Sequence, residues 1–334
     1  MNLLTRIALP TLLALLIPIA PLALGGCGDD GTTPADSSVD ANADSSMPPT
    51  DAGTDAPVTD SGTGTDGGVG CVVEALCADG EIIVDVAWLE MHMTDTDVQI
   101  VDVRSSADHS AARIPGAIIV DVGALRTTVA GISGQVVSES AAQGVFRAAG
   151  VRDDAAIVVY DADVSTTAAR LVWTFEYFGH DRVALLDGGF VAWNDGVRSV
   201  DMGAATATPT EYVVAGVVAD KRVDADYIAD RLDPPTLGLV DARSPGEYGA
   251  GHIPGALNVD WTTNLSGGVF RSDADMRALY TTIDDTGTTI AYCQTGSRAS
   301  VAYVVLRSLG FADVRLYDGS WSEWGGRMDL PSEP

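Results

Sequence analysis

The sequence predicts an α/β fold of two tandem domains, each a parallel sheet flanked by helices on both faces. Three observations predict it. First, the two halves of the chain match block by block. Ile100-Val101-Asp102-Val103-Arg104, Arg113-Ile114-Pro115-Gly116-Ala117 and Val120-Asp121 recur at one constant offset. Their copies are Leu239-Val240-Asp241-Ala242-Arg243, His252-Ile253-Pro254-Gly255-Ala256 and Val259-Asp260. Second, Leu186-Asp187-Gly188-Gly189-Phe190 with Trp193 recurs as Tyr317-Asp318-Gly319-Ser320-Trp321 with Trp324. Third, short β-rich apolar runs alternate with helix-like stretches, as in βαβ units whose sheet is covered on both faces. Only two copies occur, each far longer than a solenoid repeat, so the reading is duplicated domains and not an array.

The elements follow in order. Residues 1–26 read as an export signal: Arg6 supplies a weak positive start, and residues 7–23 are apolar but interrupted by Pro10, Pro18 and Pro21. Such a run is too short and broken for a membrane span. Leu24-Gly25-Gly26-Cys27 resembles a bacterial lipoprotein processing box, which makes Cys27 the expected lipid-bearing residue of a protein anchored to a cell-envelope membrane. The alternative is a cysteine near an ordinary cleavage site. Residues 27–72 form a linker; over 28–70 it has no Lys, Arg or aromatic residue. It cannot bury enough apolar surface to offset chain entropy, so an extended acidic tether is expected.

The first domain is assigned to residues 73–201, an interdomain connection with Pro209 to 202–221, and the second domain to 222–334. Strands are expected at 100–103, 157–160 and 183–186, then at 237–240, 288–292 and 314–317. Helices are expected at 141–149 and 167–178, then at 275–282 and 299–309. The net charge is −28, and Lys221 is the only lysine. That balance argues against a nucleic-acid partner, whose phosphates demand basic contacts.

Three cysteines remain to be read. Cys71 and Cys77 stand close together; in an exported chain a disulfide between them and two free thiols are both open. No second ligand pair stands nearby, which disfavours metal binding. Cys293 is the odd one out and flags a free thiol. It ends the strand over 288–292 and opens the loop Cys293-Gln294-Thr295-Gly296-Ser297-Arg298 that feeds a helix. Ligands of parallel sheets sit at such strand ends. Unpaired N–H groups of the loop and first helical turn, together with the helix dipole, favour a thiolate and cradle an anion. Arg298 adds a fork of donors, and Gly296 lets the loop turn tightly.

The duplicated Asp-x-Arg and Ile-Pro-Gly-Ala blocks, the Cys293 loop and the Asp318-Gly319-Ser320-Trp321-Ser322-Glu323-Trp324 block together resemble the tandem-domain rhodanese family. The resemblance covers roughly residues 84–331 and implies a sulfurtransferase. In that family the first domain has usually lost its cysteine, and Asp161 stands at that place here. The implied chemistry is transfer of sulfane sulfur from a small anionic donor to a thiol or cyanide through a Cys293 persulfide. It needs no metal and no organic cofactor. The resemblance makes Gln294, Thr295, Gly296, Ser297 and Arg298 the persulfide cradle and Arg243 the donor-anion binder.

Four residues separate Cys293 from Arg298. Phosphatases sharing the fold have five, so phosphatase or arsenate reductase activity is the minor reading. Mercaptopyruvate enzymes of the family typically carry Cys-Gly-Ser-Gly-Val-Thr, and an acidic residue where Gly123 stands. The arginine-bearing loop favours thiosulfate, with 3-mercaptopyruvate as the alternative. A reading of another class is an envelope sulfur-relay module with little small-molecule turnover. Arg104 is expected to pin a strand end, His252 to stabilise a turn, and Trp193 and Trp324 to pack the core. Trp321 is open between core and pocket mouth, and His92, His109 and His180 are expected at surface or satisfied positions.

Overall fold

The computed structural model describes residues 81–232 and 235–334. The segments expected to be an export signal and a tether, with Cys27, Cys71 and Cys77, lie outside the described residues. The first half runs β1 (Ile83–Val84), α1 (Val86–His92), β2 (Val98–Asp102), α2 (Ser106–Ala111) and β3 (Ile118–Ile119). The hairpin β4 (Arg126–Val129) and β5 (Ile132–Val136) follows. Then come α3 (Glu139–Ala149), β6 (Ala156–Tyr160), α4 (Thr166–Tyr177), β7 (Val183–Leu186) and α5 (Gly189–Trp193). The second half repeats the series: β8 (Arg222–Val223), α6 (Ala225–Ala229), β9 (Gly238–Asp241), α7 (Pro245–Tyr248) and β10 (Leu257–Asn258). Its hairpin is β11 (Leu265–Ser266) and β12 (Val269–Phe270), followed by α8 (Asp273–Arg277), β13 (Thr288–Tyr292), α9 (Ser297–Ser308), β14 (Asp313–Tyr317) and α10 (Ser320–Trp324).

Each half builds a five-stranded sheet in which every pairing is parallel. The orders, β1-β7-β6-β2-β3 and β8-β14-β13-β9-β10, are the same topology twice. The chemistry of the repeated blocks explains the match. Asp102 and Asp241 end the second strand of each sheet, and each turns its carboxylate back onto the arginine two residues on. The Ile-Pro-Gly-Ala turns place Gly116 and Gly255 at φ +76, a conformation L side chains rarely adopt.

One helix differs from its expected span. The segment over 275–282 is helical only as far as Arg277 and continues as single i→i−3 turns, such as Tyr280 N to Arg277 O and Ile283 N to Tyr280 O. Tyr280 is buried with its hydroxyl on Asn264, which holds those turns against the domain. The segment over 202–218 carries no helix or strand. It straps back onto the first half through Thr210, Val213, Val214 and Val218, whose N–H groups meet Arg147, Asp153, Gln143 and Tyr177.

The two halves share an apolar cluster, and each keeps a second one of its own. Helix α4 is buried from Ala168 through Tyr177 and α9 from Ala299 through Leu306, a burial on all sides expected only of a central helix. These two helices pack against each other, and residues of both halves fall in one continuous apolar cluster. Charged groups on the seam are paired. Glu176 of α4 meets Arg307 (2.8 Å) and the Tyr303 hydroxyl of α9. The hairpins cross reciprocally. Val136 of β5 donates its N–H to Asp318 in the second half, and Phe270 of β12 donates to Asp187 in the first.

Candidate active site

Cys293 follows β13, a strand flanked on both sides by others, and is 1% exposed. It occurs as a free thiol. Its N–H donates to the Ser320 hydroxyl (3.2 Å), and its carbonyl accepts from Trp321 N–H (3.0 Å). The Gln294 carbonyl accepts from Ser322 N–H (3.0 Å), and its side chain reaches the Ser322 hydroxyl. The loop is thereby pinned on its outer side to the start of α10.

On the inner side, among the described residues, no group accepts from the N–H groups of Gln294, Thr295, Gly296, Ser297 or Arg298. Gly296 caps α9 in the left-handed conformation, φ +82, and no side chain caps the helix. Five consecutive donors at a helix start are what an anion held beside Cys293 requires. The sequence-predicted residues Cys293 and Gln294 to Arg298 are therefore brought together as one loop.

Arg298 is held by Glu247 in a two-pronged pair, Nη1 to Oε2 at 2.6 Å and Nη2 to Oε1 at 2.8 Å. Glu247 also closes a capping box with Ser244 at the start of α7. The Arg298 guanidinium beside it holds the Glu247 carboxyl down at about 2. Glu247 in turn, and the Cys293 sulfur after it, favour the charged form of Arg298.

Arg243 is placed differently from the expectation. It is buried, with Nε and Nη2 on the Asp241 carboxylate and Nη2 also on Gly251 O. Arg104 makes the same set with Asp102 and Ala112 O, in the half without the cysteine. Those donors hold a strand end, so they are not free for a donor anion. Trp321 lies under the Arg243 guanidinium, 4.6 Å from the ring centroid, and belongs to that structural stack. His252 stacks on Tyr248 at 3.6 Å and bridges by backbone to Glu333, a turn role. His109 sits buried on Asp102, and His180 on Ala155 O. Trp193 and Trp324 are core residues.

The first half's counterpart loop carries no thiol. Phe190 and Val191 donate to the carbonyls of Asp161 and Ala162, as Trp321 and Ser322 do to Cys293 and Gln294, which fixes the equivalence of Asp161 and Cys293. The Asp161 carboxylate is tied to the Ser165 hydroxyl and to Ala162 N–H.

Three groups beside the cysteine loop are not anticipated from the sequence. Ser320 is a non-glycine residue at φ +52, where its counterpart is Gly189. Its hydroxyl donates to Tyr317 O (2.7 Å) while accepting from Cys293 N–H, so the strained residue is locked in place. Arg170 of α4 is 1% exposed and crosses the seam to Asp318 (2.6 Å); its other terminal nitrogen, Nη1, is buried with no partner and faces Gly296. Arg126, at the base of the first half's hairpin, has its Nε buried without a partner. Burial and the neighbouring Arg170 push the Arg126 guanidinium down, while Asp318 and the Cys293 sulfur oppose that shift. The available signal was asymmetry between the halves: Leu265 stands where Arg126 does.

Comparison with known proteins decides the family. The Rhodanese-like domain model matches residues 85–195 and again 224–327. The chain belongs to the rhodanese family. A thiosulfate sulfurtransferase of Corynebacterium glutamicum is 32% identical, over 77% of this chain and 91% of that protein. A 3-mercaptopyruvate sulfurtransferase of Escherichia coli is 30% identical, over 75% of this chain and 97% of that protein. The crystal structure of SseA from Escherichia coli, described as the rhodanese fold of 3-mercaptopyruvate sulfotransferases, superposes with a TM-score of 0.67 at 26% identity. It covers 72% of this chain and 99% of SseA. This two-domain rhodanese is a sulfurtransferase, and its relatives carry both donor names.

Proposed function

We propose that this rhodanese moves sulfane sulfur from thiosulfate to a small thiophilic acceptor, with Cys293 as the nucleophile. The observation that carries the reading is the run of five N–H groups, Gln294 to Arg298, that follows Cys293 at the start of α9 and has no acceptor among the described residues. The Cys293 thiolate attacks the outer sulfur of thiosulfate. A new S–S bond forms, the old one breaks, and its electron pair leaves with sulfite. The persulfide is then attacked at its outer sulfur by cyanide or a thiolate, which returns Cys293 as thiolate. Splitting the transfer in two is nucleophilic covalent catalysis, and donors aimed at the charged sulfur contribute about 3 kcal/mol each.

Thiosulfate is favoured over 3-mercaptopyruvate by the arginine at the end of the loop and by Gly123, which brings no carboxylate. A relay that accepts sulfur only from a protein partner fits less well, since Cys293 is almost wholly buried and suits small reactants. Intact-mass measurement after thiosulfate treatment should add one sulfur atom, about 32 Da, to the protein and none to Cys293→Ser. No adduct from either donor would remove the enzyme reading.

Export with a lipid on Cys27 is part of the same proposal, supported by the apolar leader and the Leu24-Gly25-Gly26-Cys27 box. Metabolic labelling with a palmitate analogue should mark the full chain and not Cys27→Ala.

A further inference from the structure

The arginines that the second domain offers are already neutralised. Arg298 is matched prong for prong by Glu247, and Arg243 by Asp241. A doubly charged donor entering beside Cys293 needs positive charge that no resident carboxylate has claimed. The first domain has it. Arg126 makes no side-chain hydrogen bond or ion pair among the described residues, although its Nε is buried.

Its position is fixed by the hairpin. Arg126 of β4 pairs in register with Val136, whose N–H donates to Asp318, the carboxylate one residue after β14. On the same hairpin Gly134, at φ +85, lies against Thr295 of the cysteine loop, so close that a Cβ there would stand 3.2 Å from the Thr295 carbonyl. Arg170 backs the site, with Nη1 unpartnered against Gly296. Arg222 adds a third guanidinium 3.6 Å from Asp318, with Nη2 on Gln135. Arg170 and Arg222 thus share the Asp318 carboxylate and leave Arg126 without a counter-ion among the described residues, in a chain whose net charge is −28. An unmatched cation at this place is destabilising unless an anion visits it. In the duplicated domain the same position is Leu265, so the strand itself does not require arginine.

We propose that Arg126, supported by Arg170, is the residue that binds the anionic end of the sulfur donor and makes the first domain, though it lacks a cysteine, a specificity element of the Cys293 site. This deepens the thiosulfate reading and rests on it. The test compares three donors on the full chain: thiosulfate, 3-mercaptopyruvate and an uncharged dialkyl trisulfide. The variants are Arg126→Leu, which copies the duplicate domain, and Arg126→Lys, which keeps the charge. Thermal melting reports folding, and loss of the free Cys293 thiol per second reports loading: thiosulfate leaves a persulfide and releases sulfite, 3-mercaptopyruvate leaves a persulfide and releases pyruvate, and the trisulfide leaves a mixed trisulfide and releases an alkyl thiolate. Arg126→Leu should raise KM for thiosulfate about tenfold or more relative to its effect on the trisulfide, with 3-mercaptopyruvate, a single charge, between them. Arg126→Lys should recover part of that loss. Equal losses on charged and uncharged donors, or no loss at all, would overturn the inference. If the unaltered protein takes no sulfur from thiosulfate, the donor assignment falls, and the 3-mercaptopyruvate-to-trisulfide ratio alone decides the role of Arg126.

Discussion

Asp318→Asn tests the claim that the first domain is held over the cysteine loop by charge. Asp318 and Arg170 are 0% and 1% exposed at their side chains and lie 2.6 Å apart across the seam. Asp318 also accepts from Val136 N–H at 2.8 Å. Asparagine can keep one such hydrogen bond but leaves Arg170 charged and buried. Removing one member of a buried pair costs about 3–5 kcal/mol. At roughly 2–4 °C per kcal/mol for a chain of this size, the midpoint should fall by about 6–20 °C. The duplication supplies an internal control. Asp187 is the counterpart, accepts from Phe270 N–H and pairs with no arginine among the described residues. Burial pushes its carboxyl above the usual range. Stability associated with such a group is present below its ordinary pKa and is lost as pH rises through the raised value. At neutral pH the Asp187 carboxylate is therefore a net burden, and Asp187→Asn should be neutral or stabilising. Thermal melts of the two variants at pH 7 decide it. If Asp318→Asn falls within about 1 kcal/mol of Asp187→Asn, the seam is not organised by this ion pair.

Ser320→Ala should lower stability by about 2 kcal/mol, since it orphans Cys293 N–H and Tyr317 O and keeps the left-handed strain. Ser320→Gly should recover roughly 1 kcal/mol of that by relieving the strain, which denaturant titration of both variants would show. For Glu247→Gln, the two side chains of the pair are 25% and 37% exposed, so solvent screening leaves less than about 1 kcal/mol to be lost. Glu247 is a depressed carboxyl, about 2. Its contribution is present above the ordinary glutamate range and lost as pH falls toward that value. The difference between the two proteins should thus be flat from pH 5 to 8 and close in strong acid, as pH-dependent denaturation would record.

Most of the fold was legible because the repeat places the same residues at the same strand ends. Asp-x-Arg pins a strand and Ile-Pro-Gly-Ala turns a corner, and these are local physics that one sequence displays. The cysteine loop was legible for a similar reason: strand, loop and helix are contiguous. The span of α8 was misjudged because the buried Tyr280 holds i→i−3 turns in place of a continuous helix. Arg243 illustrates the limit of motif transfer. Its spacing from Asp241 closes a strand-end fork in both halves, and spacing alone does not separate that from anion binding. Arg126, Arg170 and their relation to Asp318 depend on how two domains dock, which no local pattern encodes. Only the break in the repeat, arginine against Leu265, marked the place.

The most direct test is the structure of the protein after exposure to thiosulfate. The added sulfur on Cys293 should lie within hydrogen-bonding distance of N–H groups from Gln294 to Arg298. A Cys293 persulfide turned away from those amides, or sulfur found on another residue, would contradict the account.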